Sequence, residues 1–291
     1  MPFPRYFNPF AIFTLGGVLV QFANGRGLNV RCTIERTLEP EPDRCDLAIE
    51  GLDPIKARTI GAVFRELPTS PTNIVQVQLG YDAIPQNAFV GRMESYPDST
   101  RKGPTFWTYA TAGDGADAYD TDKLVPAVST AGLTAENMID VALAVLPTIQ
   151  RSPTVSAVIA GAAPLAQGPF SASGVRTATD LLDEAARLLR CRWFIRDSLL
   201  HLVRNGLPTP EPAIIIAPDQ PGPRFPGVPL VEPVAFGGGG LMQCVTFLDP
   251  GIVPGRQVSY QGGRFRVEHV VHSLETRSPA PWVSRIVGRA L

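Results

Sequence analysis

The sequence predicts a mainly β fold with an α+β insertion. Residues 241–291 alternate strands of period two with Pro-Gly and Gly-Gly turns. The 29 prolines and 27 glycines of the 291-residue chain lie between strand-like runs, where they predict turns and not disorder. Two capped helical patterns occur near the middle of the chain. We therefore expect a β-rich unit over 1–111, a mixed unit over 112–206, a Pro-rich connector over 207–233 and C-terminal strands over 234–291.

The N-terminal residues of the first unit allow two interpretations, a β-hairpin or a targeting segment. Residues from Phe7 to Phe22 are apolar enough to resemble a signal-peptide core, but Asn8, Pro9, Gly16, Gly17 and Gln21 interrupt them. A signal core seldom carries such breaks, so we expect a hairpin. Its strands end at Phe22 and begin again at Leu28, with the turn at 24–27. The apolar run is also too short to span a membrane.

The rest of the first unit alternates strands with one helix. The helix Ile55–Arg65 follows Asp53 as a cap and Pro54 at the first helical position. In the clearest strand, Val75, Val77 and Leu79 share one face. The predicted strands of this unit are 18–22, 28–35, 46–52, 74–81, 88–94 and 105–111.

The middle unit is predicted to contain two helices and a hairpin. The first helix runs from Gly132 to Val145 or Leu146, with Thr134 as its cap and an imperfect capping box. The second, Leu181–Leu189, follows the capping sequence 177–180. Its apolar side chains form one stripe, which predicts a packed face: Leu181, Leu182, Ala185, Leu188 and Leu189. Residues 192–203 predict a β-hairpin that turns at Asp197 and Ser198.

Composition argues against several classes of function. Charged residues make up 18% of the chain, below the roughly 25% that is usual for soluble domains, which suggests surface covered by partners. The net charge is −1 and there is no basic block, which argues against sequence-specific nucleic-acid binding. Four cysteines, Cys32, Cys45, Cys191 and Cys244, are widely spaced without a Cys-x-x-Cys pair. They predict buried thiols in a reducing compartment rather than a metal site or disulfides.

The His269–His272 pair is the first candidate metal site. Residues three apart on a strand point to opposite faces, so the two rings are not expected to bind one ion. We interpret them as ordinary strand histidines.

The acidic cluster around Gly115 is the second candidate, for calcium. It consists of Asp114, Asp117, Asp120 and Asp122 and lacks the closing Glu of a calcium loop, so a solvated loop is the favoured interpretation.

Three other motifs give no site. Gly237–Gly240 lacks the Lys-Ser or Lys-Thr of a phosphate loop, so a flexible loop is favoured, with Phe225 and Phe236 as anchors for a partner. The Ser171–Gly174 stretch is not a nucleophile elbow. Scattered basic residues predict solvated faces or, alternatively, oligomer contacts: Arg101, Lys102, Arg285 and Arg289. We therefore predict no catalytic, metal-binding or cofactor-binding residues, no cofactor and no enzymatic activity.

The order of four stretches resembles the baseplate hub family of tailed bacteriophages, which is shared with contractile injection machines. Each stretch is a strand followed by its turn, and together they extend over nearly the whole chain. They are 29–34 leading to 46–53, 77–81 leading to 89–93, 109–117, and 247–258 followed by 265–272 and Trp282. The chain is shorter and richer in proline than the larger hubs of that family.

The resemblance implies a structural role. It implies two tail-tube-like β-barrel domains per chain with an α/β insertion between them. It also implies a homotrimer whose barrels imitate a six-fold ring and join the hexameric tail tube to a separate trimeric spike protein. The implied further partners are the tube or distal tail protein and the tape measure and wedge proteins. DNA would pass only transiently through the lumen, and no stable membrane association is expected. The location would be the virion tail baseplate, after synthesis in the host bacterial cytoplasm.

Two other function classes are open alternatives. A tail-associated cell-wall hydrolase would need paired carboxylates or a Cys/His/Asp set on converging elements, and the sequence presents none. A carbohydrate-binding β module would need an aromatic platform. Trp107 and Trp193 are the candidates for one, but their surroundings predict core positions.

Overall fold

The computed structural model describes residues 9–23, 25–66, 73–81, 84–94, 98–102, 105–115, 124–125, 134–162, 176–217 and 227–291. These residues form a mainly β chain with a helical insertion, as the sequence predicts. The first unit contains one helix, α1 (Pro54–Glu66), and nine strands. The strands are β1 Pro9–Leu15, β2 Val18–Ala23, β3 Arg26–Gly27, β4 Asn29–Thr37, β5 Asp43–Glu50, β6 Ile74–Tyr81, β7 Ile84–Met93, β8 Asp98–Lys102 and β9 Thr105–Asp114.

In the first unit, the strands surround a single apolar core. Strands β4, β5, β9, β7, β6, β1, β2 and β3 are neighbours in that order, and β8 also pairs with β9. Phe13, Phe22, Ile49 and Phe89 are among the core side chains, and Ile60 of α1 joins them. Among the described residues no pairing returns from β3 to β4, so the barrel predicted for this unit stays a prediction. The helix begins as expected, because Asp53 Oδ1 accepts the backbone N–H of Ile55 at 2.7 Å.

The first hairpin differs from the sequence prediction. An unpredicted turn lies at Gly16 and Gly17, between β1 and β2. The chain also reverses within the predicted turn range 24–27, but there β2 pairs with the short strand β3 and not with the predicted strand 28–35. Gly16 and Gly17 have positive φ, 52° and 81°, which is the geometry of a two-residue hairpin turn. The two glycines that the sequence analysis treated as interruptions of one apolar run are therefore the turn itself.

The middle unit packs helices on a small sheet. It contains β10 Leu124–Val125, α2 Ala135–Ala144, β11 Gln150–Arg151, α3 Pro153–Ala160, β12 Arg176–Thr177, α4 Ala178–Leu189, β13 Cys191–Arg196 and β14 Leu199–Arg204. Thr134 and Thr177 cap α2 and α4, the latter in a complete capping box with Asp180. Leu182 is buried, whereas Leu188 is half-buried. Helix α3 was not predicted, because its run 153–160 is rich in β-branched residues that favour strands.

The last unit is a closed barrel of six strands. These are β15 Ile214–Ala217, β16 Val228–Gly237, β17 Leu241–Phe247, β18 Gln257–Tyr260, β19 Gly263–Glu275 and β20 Val283–Ala290. The order β15-β16-β17-β20-β19-β18 returns to β15. The range 207–233, predicted as a connector, therefore contributes β15 and the start of β16. These strands were not predicted, because proline disfavours the interior of a sheet and the range is rich in proline.

No helix among the described residues is long and apolar enough to cross a membrane.

Candidate functional site: the joint between the three units

The two candidate histidines lie in different environments. His272 is buried, and its Nε2 donates to the backbone carbonyl of Ile252 at 3.1 Å, so Nδ1 accepts the hydroxyl of Ser284 at 2.8 Å. Burial, and then the charge of Arg36, lower the pKa of His272 to about 3. His269 is on the outer face, where Nε2 lies 2.9 Å from Oε1 of Glu35. The geometry therefore separates the two rings, as the strand period predicts.

Asp114 is the described member of the predicted acidic cluster, and it is not solvated. Its side chain is buried at the end of β9. The carboxylate accepts the backbone N–H of Asp197 and, at 3.3 Å, that of Ser198. These two residues form the turn between β13 and β14, so the contact connects the first unit to the middle unit. Asp117, Asp120 and Asp122 lie outside the described residues.

The other predicted candidates form no shared site within the part of the chain that the structure describes. Gly238–Gly240 make a single 3₁₀ turn between β16 and β17, beside the exposed ring of Phe236. Arg285 and Arg289 are exposed on β20, and Arg101 and Lys102 belong to β8. The stretch 171–174 and Phe225 lie outside the described residues. Trp107 and Trp193 are buried, and Trp193 Nε1 donates to Asp183 at 2.7 Å. Within the described ranges, no group of three or more His, Cys, Asp or Glu residues could hold a metal ion.

A buried set of charges lies where the three units meet. Arg36 Nε of β4 is 3.2 Å from Asp43 Oδ2 of β5, and both side chains are 2% exposed. Arg196 Nε, at the end of β13, lies 3.8 Å from the same oxygen. Arg196 also donates to the backbone carbonyl of Pro254 at 3.3 Å, which brings in the last unit. We call Arg36, Asp43, Asp114 and Arg196 the joint cluster.

Two carboxyl groups of the joint cluster face each other directly. Asp43 and Asp114 are cross-strand partners in the β5–β9 ladder, and both side chains are buried. Burial, and then the charge of Asp43, raise the pKa of Asp114 to about 7, although the two backbone N–H donors oppose this shift. Burial lowers the pKa of Arg196 to about 10, so this guanidinium stays charged at neutral pH.

Apolar packing and surface ion pairs surround the joint cluster. Leu38 of the first unit packs with Phe194 and Val203 of the middle unit in a small separate core. Gly115, with φ of 69°, lies so close to Ile195 that a Cβ there would come within 2.5 Å of Ile195 Cγ2. Arg192 of β13 pairs with Glu39 at 2.8 Å and with Glu268 of β19 at 3.4 Å.

The first and last units are joined in a different way, through one long strand. The beginning of β19 pairs with β18 inside the closed barrel. Its later part, from His269 to Glu275, pairs with β4 of the first unit in an unbroken antiparallel register. Trp282 then packs on Phe22 and Tyr81 of the first unit, with ring centroids 6.0 and 6.2 Å apart. The two units therefore share one continuous sheet.

The sequence analysis missed the joint cluster, although strand parity carries a signal for it. Arg36 follows the inward-facing Val30, Cys32 and Ile34 at the same parity in β4. Asp43 and Asp114 likewise occupy core-facing positions of β5 and β9. Charged residues at core positions are uncommon unless they are paired, so they mark a buried contact. The partner Arg196 had no such signal, because β13 is buried on both faces near its end.

Comparison with known proteins gives the fold but no sequence family. No family model matches the sequence, and no curated protein matches it. A tail protein from Neisseria meningitidis MC58 superposes with a TM-score of 0.63 at 10% identity and covers 97% of both chains. The chain has the fold of phage tail proteins. The 43 kDa tail protein of prophage MuSo2 from Shewanella oneidensis gives a TM-score of 0.58 at 11% identity, over 96% of this chain and 98% of that chain.

A third structure extends the fold to secretion machinery. An E. coli protein, described as a component of the type VI secretion system with structural similarity to the T4 bacteriophage tail proteins gp27 and gp5, gives a TM-score of 0.51. It is 9% identical, and the match covers 91% of this chain and 73% of that chain. The tail-protein fold extends over all three units, and it confirms the resemblance drawn from the sequence at the level of fold.

Proposed function

We propose that this chain is a structural tail protein that works as a trimeric hub between the hexameric tail tube and the trimeric central spike. The observation that carries the proposal is the continuous sheet through β19 and β4, which fixes two β units of one chain side by side. Three such chains would place six β units around one axis. Such a trimer could then bind a six-fold tube on one side and a three-fold spike on the other.

The joint cluster supports this role mechanically. A hub must keep its units in a constant relative orientation, because its two neighbours have different symmetries. The β19–β4 ladder would fix one junction through backbone hydrogen bonds, and the joint cluster would fix the other through the Arg196–Asp43 ion pair and the Asp114 contact. Buried ion pairs often add little net stability, so the role proposed for this cluster is to specify one arrangement of the units.

Exposed apolar side chains provide candidate contacts for neighbouring subunits. Leu19, Ile55 and Phe106 are exposed on the first unit, and Ile215 and Phe236 on the last. We assign these positions to contacts with further copies of the chain, the spike, and the tube or distal tail protein. The chain would act in the virion tail after synthesis in the host cytoplasm, without catalytic chemistry and with DNA passing only through the lumen.

The mass of the purified protein in solution tests the proposal. Light scattering coupled to gel filtration should give three times the 31.3 kDa of one chain, alone or together with a spike protein. A stable monomer that binds no tail component would contradict the hub. In the same preparation, loss of turbidity of purified cell walls would favour the hydrolase, and retention on immobilised cell-wall glycan would favour the carbohydrate-binding module.

A further inference from the structure

The contact between Asp114 and the β13–β14 turn contains a carboxyl group that faces another carboxyl group. Asp114 is directly opposite Asp43 in the β5–β9 ladder, where cross-strand Cβ atoms are about 5 Å apart. Both side chains are almost fully buried, at 1% and 2% exposed. Two ionised carboxylates at this separation repel each other strongly when water is excluded.

The charges around Asp114 come from four elements. Asp43 faces it from β5, and Asp197 approaches it from the turn after β13. Arg36 of β4 and Arg196 of β13 balance Asp43 from its other side. The neutral imidazole of His272 on β19 lies in the field of the same two arginines. The two guanidinium groups equal the two carboxyl groups in number, but both contact Asp43 and not Asp114.

We propose that Asp114 is a proton-dependent latch between the first unit and the middle unit: protonation of its buried carboxyl group closes the joint, and loss of that proton loosens it. In the closed joint, the protonated carboxyl still accepts from the turn of β13–β14 and no longer repels Asp43. In the ionised state, the same carboxyl gains solvation by moving out, which releases the turn at Asp197 and Ser198. The inference concerns the joint alone and holds whether or not the chain is a hub.

The direction of the effect follows from proton linkage. The pKa of Asp114 is about 7 in the closed joint, whereas that of an aspartate side chain in water is 3.8. The closed joint therefore binds the proton more tightly than the open joint does. The closed state therefore gains at low pH and loses as pH rises toward and through about 7. Between pH 5.5 and pH 8.5 the ratio of closed to open joint should fall by about 30-fold.

Hydrogen exchange of the full chain, followed by mass spectrometry, tests the latch. Exchange times are scaled at each pH to the intrinsic rate of unprotected amides. Protection of the turn amides of Asp197 and Ser198, resolved by overlapping peptides across the 193–202 hairpin, should fall by about 30-fold from pH 5.5 to pH 8.5, because these two amides donate to Asp114. Peptides covering 267–275 of β19 should keep their protection. Asp114→Asn removes the carboxyl group of the latch, so the fall of about 30-fold should be lost. Asp43, whose pKa is also raised by burial, remains in this variant and can leave a smaller pH response.

Asp46→Asn is the matched control. Asp46 lies on the same β5–β9 pair but on the outer face, where it accepts the hydroxyl of Thr111 at 2.9 Å. This variant should keep the pH response of the wild type. In the wild-type protein, equal hairpin protection at pH 5.5 and pH 8.5 would overturn the latch, whatever the variants show. An Asp114→Asn protein that retains the full pH response of the wild type would overturn it as well.

Discussion

The two junctions of this molecule are built from different interactions. The first and last units are joined by backbone: seven consecutive residue pairs connect β19 to β4 in one ladder. The middle unit is joined to both by side chains, through the joint cluster, a three-residue apolar contact and a few ion pairs. A ladder tolerates most changes of side chain and of pH, whereas a junction of buried charges depends on each partner. We therefore expect the side-chain junction to open first.

The largest effect should come from removing the apolar support of the ladder junction. Trp282→Ala deletes a buried ring between Phe22 and Tyr81 and leaves the carbonyl of Glu275 without its indole donor. We expect a loss of about 3–5 kcal/mol in the free energy of unfolding, measured by chemical denaturation. Leu207→Ala, at an exposed position after β14 that is not among the assigned subunit contacts, should change that free energy by less than about 0.5 kcal/mol. Equal effects of the two variants would show that Trp282 does not stabilise the junction.

Breaking the ion pair of the joint should cost slightly less. Arg36→Met leaves Asp43 buried with Arg196 as its remaining cation at 3.8 Å. We expect a loss of about 3 kcal/mol, at the lower end for a broken buried pair, because this second partner remains. The matched exposed pair is Arg44–Asp46, so Arg44→Met should cost about 0–1 kcal/mol. A denaturation midpoint for Arg36→Met equal to that of Arg44→Met would mean that the buried Arg36–Asp43 pair contributes no more to stability than an exposed pair.

Two leucines of α4 sharpen the comparison inside the middle unit. Leu182 is 1% exposed, and Leu188 is half-buried. Leu182→Ala should cost about 2–3 kcal/mol, because a helix at the edge of a small unit can move to close part of the cavity. Leu188→Ala should cost only about 1 kcal/mol, because less of its area leaves water on folding. Thermal unfolding of both variants checks the order, and a larger loss at Leu188 would contradict the packing of this helix.

The smallest effect is expected on the outer face of β19. His269 pairs with Glu35 at a position where both side chains are accessible to water. His269→Gln should therefore change the free energy of unfolding by about 0–1 kcal/mol and should leave the metal content of the purified protein unchanged. Elemental analysis of the wild type and of the variant checks the second point, since a stoichiometric metal that is lost with His269 would restore the metal-site hypothesis.

Sequence patterns predicted the elements that local chemistry determines. Period-two runs gave strands such as β6, and Asp53 and the capping sequence 177–180 indicated α1 and α4. Helix α4 begins at Ala178, inside that capping sequence, and not at the predicted Leu181. Contacts between distant residues could not be predicted in the same way. Nothing local pairs β19 with β4, which are more than 230 residues apart. No element was predicted where α3 lies, and its β-branched residues give little local signal for a helix.

The joint cluster shows where sequence reasoning stops. Parity places Arg36, Asp43 and Asp114 on core faces once β4, β5 and β9 are extended beyond the predicted strands 28–35, 46–52 and 105–111. The buried polar contact therefore could not be predicted from the strand bounds that the sequence indicates. Its partner, the turn at Asp197 and Ser198, was predicted only as a hairpin turn. That this turn donates to Asp114 depends on how the middle unit docks, and docking depends on side chains from all three units.

The most direct test of the hub is an image reconstruction, by electron cryomicroscopy, of a tail particle that contains this chain. We predict three copies around the tail axis, each contributing two β units to a ring of six, with β19 and β4 paired as described. The spike would bind on the three-fold side and the tube on the six-fold side. Six copies in that ring, or a single copy beside the tail axis, would contradict the account.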